Sequence, residues 1–320
     1  MSGRLSSRSV DGDGHRLVVH AGTASDPATQ RDPEPSTIAG PVDSIPPETA
    51  GSAPLRWTPV TTGPDSDGLR PVDVLTVVSV AAVTPSVRRV ALSGAPDAVA
   101  AAGPTVNVLV PRVDDPSPRW PRIQRDGRIV WPDGSHGVAL RSYTARRQDP
   151  DAGIVEIDFV LHGDGPAATW AAAARPGALL AVAGAASLAE RPARWLLLAG
   201  DETALPAISR LLAAAAPGTT GVALLEVAGP EEEQPLAGPA GVAVHWLHRG
   251  ATPPGESTLL VDAVAALDRP PGDDVFAWVG AESAAVRAIR ADLRGRWGLG
   301  RAQHHAIGYW RRGRAMAPAG

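Results

Sequence analysis

The sequence predicts a β plus α/β protein: a small β-barrel, then an α/β domain with a mostly parallel sheet, with an unstructured tail in front. Three observations carry this. Residues 1–70 are rich in Ser, Pro, Gly, Asp and Thr, as around Asp32 to Thr37, and keep neither a helical nor a strand period, so a disordered tail is expected there. Short runs of Val, Leu and Ile separated by turn residues then recur through about 110 residues, the habit of a barrel. From Trp195 onward apolar strand-like runs alternate with stretches of helical spacing, the habit of an α/β sheet. The expected division is 1–70, 71–190 and 191–320.

In order, the barrel strands are expected at 72–80, 87–92, 106–110, 128–130, 140–145, 154–161 and 179–183, with a short helix at 167–174 after a Gly-rich turn. The second domain is expected to run strand 195–199, helix 204–215, strand 221–227, strand 242–247, helix 258–267, strand 275–280, helix 283–295 and a last strand at 305–309. Ligands of such sheets sit beyond the carboxyl ends of the strands, where Gly200, Glu226, Gly280 and Tyr309 fall; an acid at Glu226 would suit a ribose diol.

Composition narrows the function classes. A net charge of −4 and a pI near 6.1 give no whole-chain field for nucleic acid or an anionic membrane. The absence of cysteine excludes disulfides, iron–sulfur clusters and thiolate zinc sites. There is no lysine, so every fixed side-chain cation is an Arg. No apolar run of membrane-spanning length and no signal-like segment occurs, which predicts a cytoplasmic protein without membrane insertion; a monomer is expected. The histidines, including His245, His248, His304 and His305, have no spacing that demands a metal site. The run Glu231-Glu232-Glu233 reads as a solvated loop cluster with no chemical role.

Two segments carry chemistry. Arg141-Ser142-Tyr143-Thr144 places a cation, a flat aromatic and a hydroxyl within four residues. On a strand, alternation puts Arg141 and Tyr143 on one face and Ser142 and Thr144 on the other, with a bend needed to return Thr144 to a shared ligand. Arg141 can fork onto a pyrophosphate, Tyr143 can pack on an isoalloxazine, and Thr144 can reach the flavin N5 edge. Downstream, His162-Gly163 ends a strand where a glycine lets backbone approach phosphate and the imidazole can hydrogen-bond a cofactor. The second segment, Gly200-Asp201-Glu202-Thr203, turns an apolar strand into an apolar helix, with Thr203 as the expected N-cap, in the outline of a nucleotide site.

These motifs, with Gly165-Pro166-Ala167, Trp170-Ala171 and Gly308-Tyr309-Trp310-Arg311, occur in the order found in siderophore-interacting proteins, and from about Pro71 to Gly313 the chain resembles that family. The resemblance implies a ferredoxin-reductase-like layout, with an FAD-binding barrel followed by an NAD(P)-binding α/β domain, and a ferric-siderophore reductase that moves electrons from NADPH or NADH through FAD to Fe(III). It adds Ala167, Thr169, Trp170, Tyr309 and Trp310 to the cofactor residues already named. Arg89, Arg146 and Arg311 are then the cations expected to meet an anionic ferric siderophore. No side chain is expected to act as a proton-transfer catalyst. Two departures stand out: Gly184-Ala185-Ala186-Ser187 replaces a Gly-Pro turn, and Gly280-Ala281-Glu282 replaces a Gly-Glu. A flavin reductase with another acceptor, or a flavin-free siderophore carrier, is the alternative.

Overall fold

The computed structural model describes residues 68–132, 137–163, 165–186 and 188–313, and of 184–186 the backbone alone. The expected disordered tail, except 68–70, and Ser187 of the altered turn lie outside the described residues. The described chain opens with β1 (Leu69–Pro71), β2 (Asp73–Thr84), β3 (Val87–Ser93), α1 (Pro96–Ala100), β4 (Thr105–Pro111), β5 (Arg122–Gln124), β6 (Ile129–Val130), β7 (Val138–Asp149), β8 (Ile154–Val160), α2 (Pro166–Ala173) and β9 (Leu179–Ala186). Six of these strands close a barrel in the order β2-β3-β8-β7-β4-β9, every pair antiparallel. Alternate residues fill it: Leu75 and Val77, Val90 and Leu92, Val106 and Val108, Ile157 and Phe159 all turn inward, and α2 adds Trp170.

Two short strands and a helix escape the period-based expectation. β1 pairs antiparallel with β5, and β5 with β6, in a small side sheet, so Leu69 and Arg70, inside the segment expected to be tail, are strand. A three-residue strand shows no period of its own; a distant partner makes it a strand. Helix α1 starts at a proline, whose fixed φ suits the first turn, and buries Ala98 and Val99.

The chain continues through β10 (Trp195–Asp201), α3 (Leu205–Ala214), β11 (Thr220–Val227), β12 (Gly241–His248), α4 (Leu259–Ala265), β13 (Val275–Glu282), α5 (Ser283–Gly295) and β14 (His304–Trp310). The five strands order as β12-β11-β10-β13-β14, all parallel. One face packs on α3 around Ile208 and Trp278; the other packs on α4 and α5 around Val279, Ile289 and Trp297. Buried on both faces, β13 reads as an unbroken apolar run rather than an alternating one. The chain winds outward from β10 to β12 and returns to β13 on the other side, so the topological switch point lies between β10 and β13.

Several contacts join barrel and sheet. Arg210 of α3 donates from Nη1 to the Ala145 carbonyl of β7 at 3.2 Å. The Thr144 side chain lies beside the Tyr309 phenol. Glu232 accepts from the Thr84 hydroxyl, from the Ser86 amide at 3.0 Å and from the Ser86 hydroxyl at 2.7 Å, all on the β2–β3 turn. Glu232 is buried, which corrects the expectation that the acidic run is merely solvated: the central carboxylate of the three is spent on the barrel, while Glu231 and Glu233 are exposed.

Candidate functional site

On the barrel side the site begins with β7. Tyr143 and Ala145 pack toward the barrel core while Ser142 and Thr144 face outward, Ser142 donating to Asn107 Oδ1 at 2.5 Å. The Tyr143 ring lies 4.6 Å from that of Phe159, which meets Trp170 at 5.5 Å, so an aromatic stack backs the motif from inside. Burial pushes the Tyr143 phenol far above its ordinary range and keeps it neutral. Arg141 donates to its neighbouring Leu140 carbonyl at 2.8 Å and has no carboxylate partner among the described residues, which leaves most of its guanidinium donors for an anion. Thr144 is buried, its side chain beside the Tyr309 phenol.

Beside this strand, Gly163 adopts φ +53°, and a Cβ there would find no atom within 4 Å, so the backbone lies bare at the cleft. Helix α2 follows with Gly165 as N-cap, Pro166 at N1 and no side-chain cap, an N-terminus open to an anion. A cleft of about 490 Å³ runs along Leu161, Gly163, Ala168, Thr169, Ala172 and Ala173. An uncapped helix start and a bare glycine beside one cleft fit a dinucleotide pyrophosphate. Thr169 faces this cleft, but the side chains of Ala167 and Trp170 are buried in the barrel core. Ala167 belongs to the first turn of α2, so its backbone amide stays among those open to an anion. His162 is exposed, its ring 6.4 Å from that of Trp310.

On the sheet side, the expected nucleotide turn is occupied by its own wiring. A Cβ on Gly200 would come within 2.6 Å of the Ala204 Cβ and 2.7 Å of the Gly280 carbonyl oxygen, so Gly200 serves close strand–helix packing. Asp201 accepts from the Thr203 amide at 3.0 Å, the Thr203 hydroxyl at 2.5 Å, the Glu282 amide at 3.1 Å and the Trp310 indole at 2.7 Å. Even so, burial and the adjacent Glu202 push its carboxyl up to about 6. Thr203 is therefore not the N-cap: its hydroxyl turns back to Asp201, and Ala204 takes the cap position before Leu205 and Pro206. Glu202 is forked by Arg249 at 2.5 and 2.9 Å, both side chains buried. Gly200 shapes the strand end through close packing, and Asp201, Glu202 and Thr203 through internal hydrogen bonds.

At the neighbouring strand ends, Glu226 Oε2 accepts from the Ser257 hydroxyl and the Leu260 amide, each at 3.2 Å, tying β11 to the start of α4. Burial raises its pKa. Glu282 caps α5 by accepting from the Ala284 and Ala285 amides. Tyr309 meets Trp278 edge-on at 6.0 Å, and burial pushes its phenol up to about 12. The Arg141–Thr144 strand and the Tyr309–Trp310 strand end thus meet at one place.

Of the three expected substrate cations, Arg89 and Arg146 converge. Arg89 forks Asp158 at 2.7 and 2.8 Å, whereas Arg146 reaches the same carboxylate only at 4.0 Å. Arg146 lies at a break in register of β7 against β8, where a bulge re-aims the side chain. Burial and the charge of Arg89 hold its pKa below the ordinary arginine range. Arg311 is exposed beyond β14 and is not brought to this pair by any contact among the described residues. Sequence reading missed Arg210, Glu232, Arg249 and Glu282. Only Glu282, one residue before a helix of clear period, carried a local signal, that of an N-cap.

Among the described residues, no group of three or more His, Asp or Glu is placed to hold a metal ion, and no helix is long and apolar enough to cross a membrane. A closed six-stranded barrel carrying an Arg-x-Tyr-Thr strand, joined to a five-stranded parallel sheet, is the architecture of ferredoxin-reductase-like flavoproteins. The fold is shared with the ferredoxin reductase in carbazole 1,9a-dioxygenase, which is 15% identical with a TM-score of 0.52 over 76% of this chain and 70% of that one. The chain belongs to the siderophore-interacting protein family: residues 76–187 match the siderophore-interacting FAD-binding domain and residues 193–313 the siderophore-interacting protein model. Ferric vibriobactin reductase ViuB of Vibrio cholerae is 34% identical over 197 residues, 60% of this chain and 71% of that protein. A siderophore utilization protein from T. fusca is 35% identical, with a TM-score of 0.69 over 78% of this chain and 95% of that one.

Proposed function

We propose that this protein is an NAD(P)H-dependent ferric-siderophore reductase acting as a cytoplasmic monomer. The observation that carries the reading is the approach of the Thr144 side chain to the Tyr309 phenol, which sets the flavin-type strand of the barrel against the last strand of the sheet. When bound, FAD supplies the conversion between the two-electron chemistry of a nicotinamide and the one-electron chemistry of iron. Arg141 and the α2 N-terminus would hold its pyrophosphate, and Tyr143, supported by Phe159, would pack on its ring system. Trp310, pinned through its indole by Asp201, borders the same place from the other domain and helps exclude water. Arg146 offers the acceptor an incompletely paired cation, suited to an anionic chelate of Fe(III). The substrate arrives with its iron and leaves it as Fe(II), which hard oxygen ligands hold less tightly. Positioning is the protein's whole contribution, and no side chain needs to move a proton.

The test is an anaerobic absorbance titration. Purified protein should carry or take up FAD, lose the flavin absorbance on adding NADH or NADPH, and recover it on adding a ferric siderophore as a ferrous-specific chelator reports Fe(II). Protein that stays colourless after incubation with FAD, or reduced protein indifferent to ferric chelates, refutes the proposal.

A further inference from the structure

A second cleft lies at the outer edge of the sheet. Among the described residues β14 pairs with β13 alone, and α5 packs against both strands. Between helix and edge strand is a space of about 420 Å³, lined by Ser283, Val286, Arg287 and Arg290 of α5 and by His305 and Ile307 of β14. That volume falls among small-molecule sites, roughly 300–1,000 Å³. The crevice at the topological switch point lies between β10 and β13, whereas this cleft is walled by β14, and none of its residues was assigned above to flavin or substrate. Helical period makes the wall: Val286, Ile289 and Leu293 fill the core, which turns the adjoining stripe of Ser283, Arg287 and Arg290 toward the strand edge.

The charge in this cleft is uncompensated. No lining residue is acidic, and the acids of α5 and its cap are committed, Glu282 to the Ala284 and Ala285 amides and Asp292 to Arg296. Arg290 donates to the Ala306 carbonyl and keeps further donors, while exposed Arg287 makes no hydrogen bond or ion pair among the described residues. Burial and then the charge of Arg290 hold His305 below its ordinary range, so its ring is neutral near pH 7 and can donate to an anion. Ser283 donates to the Trp310 carbonyl at 2.8 Å and offers a ligand only an acceptor. Ile307 is 41% exposed, a large apolar side chain left in water beside the two cations. We infer that this cleft binds a small organic dianion, a phosphate monoester or a dicarboxylate, its head between Arg287 and Arg290 and its apolar part on Ile307. Side chains three residues apart on a helix start about 5–6 Å from one another, close enough for two guanidiniums to share one doubly charged head.

Saturation-transfer NMR on the FAD-loaded full chain tests this with phenyl phosphate, phthalate and the neutral benzyl alcohol. At least one of the two dianions should bind saturably, with a Kd of about 1 mM or tighter, and the alcohol at least tenfold more weakly. Arg287→Gln should weaken the dianion tenfold or more, while Arg294→Gln, one turn beyond the cleft on the same helix, should stay within twofold. Ile307→Ser should weaken phenyl phosphate and leave inorganic phosphate unaffected. Binding of phenyl phosphate alone, or of phthalate alone, supports the site and identifies the head group it takes. No saturable binding, equal binding to Arg287→Gln, or benzyl alcohol bound as tightly as the dianions overturns the inference. Displacement of the bound dianion by NAD+ or NADP+ overturns it as well, by assigning the cleft to the electron donor, and leaves the reductase proposal standing.

Discussion

Glu232→Ala should loosen the attachment of the sheet domain to the barrel. The carboxylate is buried and accepts three hydrogen bonds from the β2–β3 turn, none from a cation. Hydrogen bonds to a charged group contribute about 1.5–3 kcal/mol each, but three on one carboxylate do not add. Ser86 is only half-buried and can regain water, whereas the Thr84 hydroxyl stays buried without its partner, so the net loss is about 2–4 kcal/mol. With a urea m-value of about 3 kcal/mol/M, the unfolding midpoint should fall by about 1 M. Glu231→Ala, at an exposed site one residue away, is the control and should stay within about 0.5 kcal/mol of the unaltered protein. A cycle with Thr84→Val should give a coupling above about 0.5 kcal/mol. Equal midpoints for Glu231→Ala and Glu232→Ala, or a coupling near zero, would refute the latch.

Other perturbations test the site. Arg141→Ala removes a β7 cation with no carboxylate partner among the described residues and should weaken FAD binding by about 1.5–3 kcal/mol, roughly ten- to 150-fold, read as flavin absorbance lost on dialysis; retained colour would contradict the assignment. Gly200→Ala drives a methyl into the Ala204 Cβ and the Gly280 carbonyl and should cost about 1–3 kcal/mol, seen as a lower melting temperature. Asp201 is held at about 6 in the fold against 3.8 for a free carboxyl, a raised value, so its contribution to stability is fully present below pH 4 and is lost as pH rises through 6. Relative to Asp201→Asn, the unaltered protein should lose about 2 kcal/mol of unfolding free energy between pH 4 and pH 7, measured by denaturant titration at each pH. Parallel curves for the two proteins would show that burial does not govern this carboxyl.

Much of the architecture follows from local pattern. The helix expected at 283–295 spans the same residues as α5, because Val286, Ile289 and Leu293 recur at helical spacing and bury together. The alternation of β7 likewise places Tyr143 inward and Thr144 outward, since strand period alone decides which face a side chain takes. Periodicity, turn residues and the order of motifs are properties of neighbouring residues, and the chain itself therefore determined the barrel, the parallel sheet and the family. Pairing between distant residues was decided only in the tertiary structure. Leu69 becomes part of a strand because Gln124 lies opposite, and Thr203 leaves the cap position because Asp201 offers a buried acceptor. Glu202 and Glu232 are both acids on turns, yet one holds an arginine and the other a hairpin, for a buried carboxylate must find donors and folding alone sets which donors are within reach.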